Sequence, residues 1–401
     1  MKRLALLLFS FFILLTGSSP AAVIEKIEIY GLKWTKEKFV RRELLIKEGQ
    51  EFSPKALSLS IRNLLNTHLF YRVKASVTQE EGKVVVKLYL KEKFPIVPLP
   101  RVRFKEDGSY KAGLEVRDYN LLGMGHRLYT GYTRWLNTEE PSKKAFIYLN
   151  LYRVIGERGD LSFGAYYNES RENLIGGGRE IGKYTEKRYT FPVAVKLYLD
   201  RKKVNQISFG ITPHISLPTE LLKDRRLYYL NLYYTKDRST DMVYYTVGRK
   251  FTVGGSLAIP QISSVFTGNL NFSYLYSKKR GELKTLCYRL FAGTKVGYSG
   301  KGYYLSSPIP GFKPERRVER RYVATNISYR FPIIDKSVFL KSSFWLGDSF
   351  KNRPDDLLLS AGVELTTFWV KLADGIIRFK VFRGLGREAD TQSSFRFSFR
   401  W

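Results

Sequence analysis

The sequence predicts a mainly-β chain: a sixteen-stranded antiparallel transmembrane β-barrel preceded by one small α+β domain of order β-α-α-β-β. Three observations carry this. From about residue 96 onward, apolar and polar residues alternate with a period of two in segments of about ten residues, the length that crosses a bilayer as a tilted strand. The chain holds 28 Tyr, 27 Phe and 5 Trp, 15% aromatic, while its mean hydropathy is only −0.26. Beyond residue 22 no continuous apolar stretch reaches the roughly 20 residues that a spanning helix needs.

The first element is set aside before folding. Met1-Lys2-Arg3 is a short basic start, Leu4 to Leu15 is almost wholly apolar, and Thr16 to Ala22 is small and polar. That order is a secretory signal peptide, and its apolar part is too short to span a bilayer as a helix. Cleavage is expected after Ala21, with Ser19 and Ala21 as the small residues of the site; Ala22 is the alternative. The expected organisation is a signal peptide over 1–21, an α+β domain over 22–95 and the barrel over 96–401.

The front segment mixes periods. Ile24 to Tyr30 largely alternates, a half-buried strand that Gly31 closes. Thr35 reads as the N-cap of a helix over 36–47 carrying Phe39, Val40 and Leu44, with Gly49 at its end. Ser53-Pro54 is a second start signal, a cap followed by proline at the first helical position, and that helix carries Leu57, Ile61, Leu64 and Leu65. Strands follow over Tyr71–Thr78 and Lys83–Leu90, joined by a turn over Gln79–Gly82.

In the back segment the clearest strand is the last. Phe395, Phe397, Phe399 and Trp401 alternate with Ser394, Arg396, Ser398 and Arg400, a lipid-facing row opposite a polar one. Ile147, Leu149 and Leu151 repeat the pattern, as do Val193, Val195, Leu197 and Leu199, and Tyr228, Leu230, Leu232 and Tyr234. Strands are expected near 98–105, 109–118, 126–136, 144–154, 160–170, 187–199, 205–217, 226–236, 241–252, 265–277, 283–296, 321–333, 337–347, 357–370, 375–384 and 391–401. The even-numbered connections between them are short, whereas the other end carries longer loops at 171–186, 297–320 and 349–356. Short turns on one side and long loops on the other mark an outer-membrane barrel, and lipid requires that it close, since no edge group can stay unsatisfied there. Pro98 and Pro100 cannot donate ladder hydrogen bonds, so the first strand, with Val102 beyond them, pairs poorly on one side. Its partner across the closure is the last strand, which makes this seam the expected weak point.

Composition removes other classes. A net charge of +31 would suit nucleic acid, but the basic residues are spread along an exported chain and no nucleic-acid motif is present; a basic lumen or a charge-rich surface accounts for them. The single Cys287 allows no internal disulfide and no cysteine metal site, and is an ordinary strand residue. His68, His126 and His214 lack metal-ligand spacing, and Gly176-Gly177-Gly178 has no helix to follow it. No nucleophile–base set can be assembled, so no enzyme activity, metal or cofactor is expected.

The 22–95 segment resembles a POTRA domain through the Ile-Tyr-Gly end of its first strand, the Glu-Gly after its first helix and Leu69-Phe70-Tyr71-Arg72-Val73. One such module ahead of sixteen strands resembles the BamA/TamA superfamily of bacterial surface antigens. Asp118 to Gly125 is similar to that family's Asn-Leu-x-Gly-x-Gly turn, here Asn120, Gly123 and Gly125. Asn326 to Pro332 is similar to its Asn-x-Glu-x-Arg-Phe-Pro strand, Phe344 to Gly347 to Phe-x-Asp-x-Gly, and Ser360 to Leu365 to the strand after it. The resemblance implies insertion or translocation of proteins at the outer membrane, with the small domain in the periplasm. Its implied partners are unfolded outer-membrane or secreted clients, the lipid bilayer and periplasmic or lipoprotein accessory subunits. It implies client pairing along the strand with Tyr71, Val73, Ala75 and Val77, and a lateral seam between Pro98, Pro100, Val102 and Phe395, Phe397, Phe399, Trp401. The terminal aromatic row also resembles the signal by which barrels are recognised for insertion.

Three departures go together. The long loop should carry an Arg-Gly-aromatic tip, and here Pro310 precedes Gly311 and Phe312; Ser328 replaces one acid, and the second falls on Leu346 or Trp345, with Asp348 nearby. Losing a cation together with both of its partners leaves no orphan charge, so the loop must be held by other means. Two rival readings remain: an anion-selective pore with Lys196, Arg396 and Arg400 in its lumen, and a two-partner secretion transporter.

Overall fold

A bulge between Ile24 and Lys26 in the first strand, β1 (Val23–Tyr30), puts Ile24 and Ile27 on one buried face although they stand three residues apart. The computed structural model describes residues 22–80, 82–104, 110–137, 142–156, 158–176, 179–217, 225–242, 244–297, 303–304, 309–312, 318–350, 357–369, 375–386, 389 and 391–399. After β1 come α1 (Glu37–Glu43), α2 (Pro54–Asn66), β2 (Phe70–Glu80) and β3 (Lys83–Glu92). The sheet order is β1-β3-β2, with β3 central, parallel to β1 and antiparallel to β2. Phe39, Val40 and Leu64 from the helices bury against Val84, Val86 and Leu88 of β3. Each such side chain contributes on the order of 1.5–3 kcal/mol.

The second helix starts as the sequence indicates: Ser53 Oγ accepts from Ala56 N at 3.3 Å, with Pro54 in the first turn. The first differs. It stops at Glu43 because Leu44 is extended, and Thr35 does not cap it; Lys36 holds that position without a side-chain bond. Thr35 is drawn away by Glu92, whose carboxylate accepts from the backbone N–H groups of Lys33, Trp34 and Thr35 at 2.6, 2.7 and 2.9 Å.

Apart from a two-stranded sheet of Tyr303–Tyr304 and Val318–Glu319, the remaining strands form one closed barrel. They are β4 (Ile96–Pro100, resuming at Arg103–Phe104), β5 (Tyr110–Leu121), β6 (His126–Leu136), β7 (Lys143–Ile155) and β8 (Gly159–Gly176). Next are β9 (Arg179–Thr190, resuming at Val193–Tyr198), β10 (Asn205–Ser216), β11 (Arg225–Asp237), β12 (Thr246–Ala258), β13 (Thr267–Gly281) and β14 (Lys284–Gly297). The last five are β15 (Arg321–Ile334), β16 (Val338–Phe350), β17 (Leu358–Trp369), β18 (Gly375–Leu385) and β19 (Thr391–Phe399). With the two interrupted strands each taken as one, this is the sixteen-stranded barrel that the alternation predicts. Its outer surface carries the apolar rows: Ile147, Phe209, Leu232, Leu270, Ile327 and Phe379 are all exposed.

Two expectations are corrected. The loop placed at 171–186 is mostly strand, because β8 and β9 stay paired out to Gly176 and Arg179. The ninth barrel strand, expected at 241–252, begins only at Thr246. Residues 238–242 and 244–245 extend instead as a short hairpin, with Arg238 N donating to Arg249 O at 2.8 Å and Thr240–Asp241 paired with Val247 and Thr246.

Candidate functional site

The β5–β6 turn is where the small domain meets the barrel. Asn120 Nδ2 donates to Thr35 Oγ1 at 2.9 Å, its Oδ1 accepts from Gly125 N at 2.8 Å, and Lys36 N donates to Gly123 O at 2.9 Å. Gly123 and Gly125 have φ of +70° and +71°, a region that costs other residues about 1–2 kcal/mol. A Cβ on Gly123 would stand 2.7 Å from Trp34 O, and one on Gly125 2.3 Å from the Phe39 ring. The turn motif is therefore a docking surface with its glycines at the points of closest approach.

Behind it lies a buried ion cluster that sequence reasoning missed. Glu43, the last residue of α1, has a fully buried side chain. Its carboxylate meets Arg153 Nη1 at 3.3 Å and Lys203 Nζ, both from the barrel, and accepts from the Tyr152 hydroxyl at 3.4 Å. Arg153 Nη1 also donates to Arg42 O at 2.7 Å, and Arg153 N to Asp160 Oδ1 at 2.9 Å. Burial pushes the Lys203 ammonium, in the β9–β10 turn, down to about 8, against the opposing pull of Glu43. Burial likewise lowers Arg42.

The small domain then extends over one side of the barrel mouth. Arg62 Nη2 donates to Lys202 O at 2.6 Å, Arg127 Nη2 to Thr67 O at 3.2 Å, and Asn66 Nδ2 to Ser239 O at 3.3 Å. Residues 238–242 and 244–245 continue from there as a strap. Tyr244 stacks on Phe339 with ring centroids 5.9 Å apart and meets Phe368 edge-on at 5.3 Å. Tyr245 is buried with Leu283, Phe339, Phe368 and Ile376. Arg330 donates to Tyr244 O and lies 4.1 Å from the Phe339 ring centroid. The strap thus ties the β11–β12 connection to β15, β16, β17 and β18, several strands further round the wall. Between α2 and the lumen wall is a cavity of about 500 Å³ that includes Lys196.

On the opposite wall residues 309–312 of the long loop turn inward, held without an arginine at the tip. Phe312 is 3% exposed and packs with Ile309, Ala324, Leu358 and Trp345. Gly311 has φ +93°, and a Cβ there would stand 2.5 Å from Gly384 N. Gly311 N donates to Gln392 Oε1 at 3.0 Å, and Gln392 Nε2 donates to Phe312 O at 2.6 Å. Gly347 and Gly384 leave the room: a Cβ on Gly347 would meet Ile309 at 2.7 Å, and one on Gly384 would meet Gly311 O at 2.4 Å. Apolar burial and a glutamine clamp hold the loop. Asp348, wholly buried, accepts from Ser349 N at 2.6 Å.

Gln392 belongs to β19, the strand that closes the barrel against β4. Pro98 and Pro100 stand opposite Val116 and Leu114 of β5. Arg101 N donates to Gly113 O at 2.8 Å and Pro95 O accepts from Tyr119 N at 2.9 Å, so the odd-numbered residues turn their polar groups to β5. Groups two apart point to the same side of a strand, which turns the missing donors of Pro98 and Pro100 toward β19. Val97 and Leu99 are buried in the small domain's core, fixing β4 from inside. Val102 falls in the gap between the two pieces of β4 and is 61% exposed. Phe395, Phe397 and Phe399 pair with Phe379, Ile377 and Gly375 of β18; Arg400 and Trp401 lie outside the described residues.

The strand with Tyr71, Val73, Ala75 and Val77 is an edge of its sheet. Val73 and Ala75 pack on the core while Val77 is 42% exposed. At the other edge, residues 49–52 cover the start of β1 through bonds such as Phe52 N to Ala22 O at 2.8 Å. The more open edge is β2.

Residues 22–93 match the POTRA family, described as a surface antigen variable number repeat. No protein of curated function matches the chain in sequence. Among solved structures, BamA from Haemophilus ducreyi lacking POTRA domains 1-3 superposes with a TM-score of 0.54 at 15% identity, covering 94% of this chain and 83% of that one. CdiB from Acinetobacter baumannii gives 0.64 at 14% identity, covering 94% and 74%. CdiB from Escherichia coli gives 0.65 at 10% identity, covering 94% and 76%. At these identities the likeness is one of fold.

Proposed function

We infer from its place among the BamA/TamA-like surface antigens, with a POTRA domain leading a barrel of the BamA and CdiB fold, that this chain inserts or translocates proteins at the bacterial outer membrane. The POTRA domain stands in the periplasm, and the edge of β2 captures an extended client by strand pairing. The observation that carries this reading is the seam. Two prolines turned toward β19 remove donors worth about 0.5–1.5 kcal/mol each from the one junction where a closed barrel can part sideways. The remaining drive is burial of apolar strand faces in lipid, with no nucleotide and no chemical step.

The Gln392 clamp belongs to the same reading, since it couples the inward loop to the closing strand. A plain anion pore is the weaker reading, because the strap and the POTRA domain both lie across the mouth. Export of one dedicated partner, as in two-partner secretion, draws support from the higher TM-scores with the two CdiB structures.

Depletion of the protein separates these readings. An insertion role predicts that other outer-membrane barrels decline; unchanged levels with altered solute uptake would overturn it. A series of cysteine pairs between Ile96–Pro100 and Thr391–Phe399 tests the seam, and full function in an oxidised, locked protein would exclude lateral opening.

A further inference from the structure

The cavity beneath α2 has a basic lining. Its lining includes six basic side chains, Arg62, Arg127, Lys196, Lys202, Lys203 and Lys250, against two carboxylates, Asp160 and Asp237. Three of the cations are matched: Lys196 to Asp160 at 3.1 Å, Lys250 to Asp237 at 3.1 Å, and Lys203 to Glu43 behind the wall. The other three make no direct ion pair among the described residues. Arg62 and Arg127 bond to the backbone oxygens of Lys202 and Thr67, and Asp237 and Asp200 attract Arg62 only at longer range. Arg62 Nε is buried with no hydrogen-bond partner, and burial lowers its pKa. Lys202 stands exposed in the β9–β10 turn.

Like charges gathered in a concave, partly desolvated site raise the local potential and draw anions into it. A small inorganic ion would satisfy the charge but not the rest of the lining. Asn150 adds a side-chain amide, which suits the donors and acceptors of a peptide backbone, while the Asn63 and Gln206 amides already donate to Glu43 O and Lys203 O. The volume of about 500 Å³ lies within the range of specific ligand sites. One wall is α2, which leads through Thr67 and His68 into β2, the open sheet edge.

We propose that this cavity binds an acidic peptide segment, its carboxylates held by Arg62, Arg127 and Lys202. The proposal rests on the translocation reading for the origin of the segment: it selects the part of a client that passes from the β2 edge to the barrel mouth.

The test uses the full-length protein in a zwitterionic detergent and a fluorescent hexapeptide of alternating Glu and Asp. The same peptide with Gln and Asn, and inorganic pyrophosphate, serve as comparisons. The acidic peptide should bind and the amide peptide should not. Affinity should fall as salt rises, and roughly tenfold or more in Arg62→Gln/Lys202→Gln. Lys55→Gln, exposed at the start of α2, should leave affinity unchanged and so report adhesion to any basic surface. Equal binding of the amide peptide, equal loss in Lys55→Gln, or binding of pyrophosphate alone would each overturn the proposal. A folded double variant with undiminished peptide affinity would do the same. Client insertion is measured separately: absence of peptide binding beside intact insertion removes this site only, whereas peptide binding beside absent insertion removes the functional reading.

Discussion

Glu43 and Arg153 meet at 3.3 Å across the junction between the POTRA domain and the barrel, and the glutamate side chain has no exposed surface. Lys203 reaches the same carboxylate. Removing this anion would leave two buried cations without their direct partner and with only Asp160 nearby, a cost on the order of 3–5 kcal/mol where the loss is not relieved by movement. Relief is available here by undocking. Glu43→Gln is therefore expected to release the POTRA domain while leaving the barrel folded. Hydrogen exchange at the backbone amides of residues 33–44 should accelerate, with strand amides in β13 and β14 unchanged. Unaltered exchange in the first group would show that the cluster does not hold the domain.

The same junction responds to pH through Lys203. Its docked value of about 8 lies below the ordinary 10.5, so between those values the free domain's partner lysine keeps a proton that the docked form has lost. The undocked state then binds more protons, and docking strengthens as pH rises through that window. Below about pH 8 the lysine is charged in both states and this contribution is flat. Energy transfer between labels on the POTRA domain and the barrel should report tighter docking at pH 9.5 than at pH 7, and Lys203→Met should remove the difference. Docking that weakens over this range in the wild type, relative to Lys203→Met, would contradict the assignment.

How far the residue pattern reaches is clear from these elements. Period-two alternation locates sixteen strands because each must offer one face to lipid, a constraint local to about ten residues. The seam prolines are legible for the same local reason. Asn120, Gly123 and Gly125 are visible as a motif, but their task is not, since the partners Thr35 and Phe39 lie far back in the chain. Thr35 looks like a cap because Ser, Thr and Asp favour that position, and only the fold reveals that Glu92 and Asn120 claim it. Gln392 is one polar residue in an alternating strand, with nothing local to mark it. The strap is hidden for another reason: Met242 to Tyr245 is a run of apolar and aromatic residues that suits a strand, and Tyr244 and Tyr245 look like wall aromatics. What takes them inward is the aromatic pocket of Phe339 and Phe368, nearly a hundred residues away or more.

The inward loop depends on two glycine-dependent contacts and one side chain. Gln392→Ala removes both clamp bonds, a loss of about 1–3 kcal/mol in the loop's attachment. Gly384→Val drives a side chain into Gly311 O and the Phe312 ring. Both are expected to expel the loop tip. Protease cleavage between residues 298 and 320 should rise for both in the folded barrel, more for Gly384→Val. A tip that stays protected in Gly384→Val would mean that the apolar contacts of Phe312 do not fix it.

The strap is expected to set the electrical behaviour of the barrel. Tyr244 and Tyr245 bury against Phe339, Phe368 and Ile376, and Arg330 fastens the chain by its bond to Tyr244 O. Aromatic pairs of this kind contribute about 0.5–1.5 kcal/mol each beyond the area they bury. Tyr244→Ala with Tyr245→Ala removes those contacts without touching the wall strands, so the strap should come loose while the barrel persists. In planar bilayers the wild type is expected to remain near its closed level, and the double variant to show large, frequent openings. The open lumen should prefer anions, since Lys196, Lys202 and Lys250 line the space beneath. Arg330→Met should give an intermediate phenotype, because it removes the anchor bond and the stacked guanidinium but leaves the rings. A wild-type channel as conductive as the double variant would mean that the strap does not obstruct the lumen, and the pore reading would regain its standing.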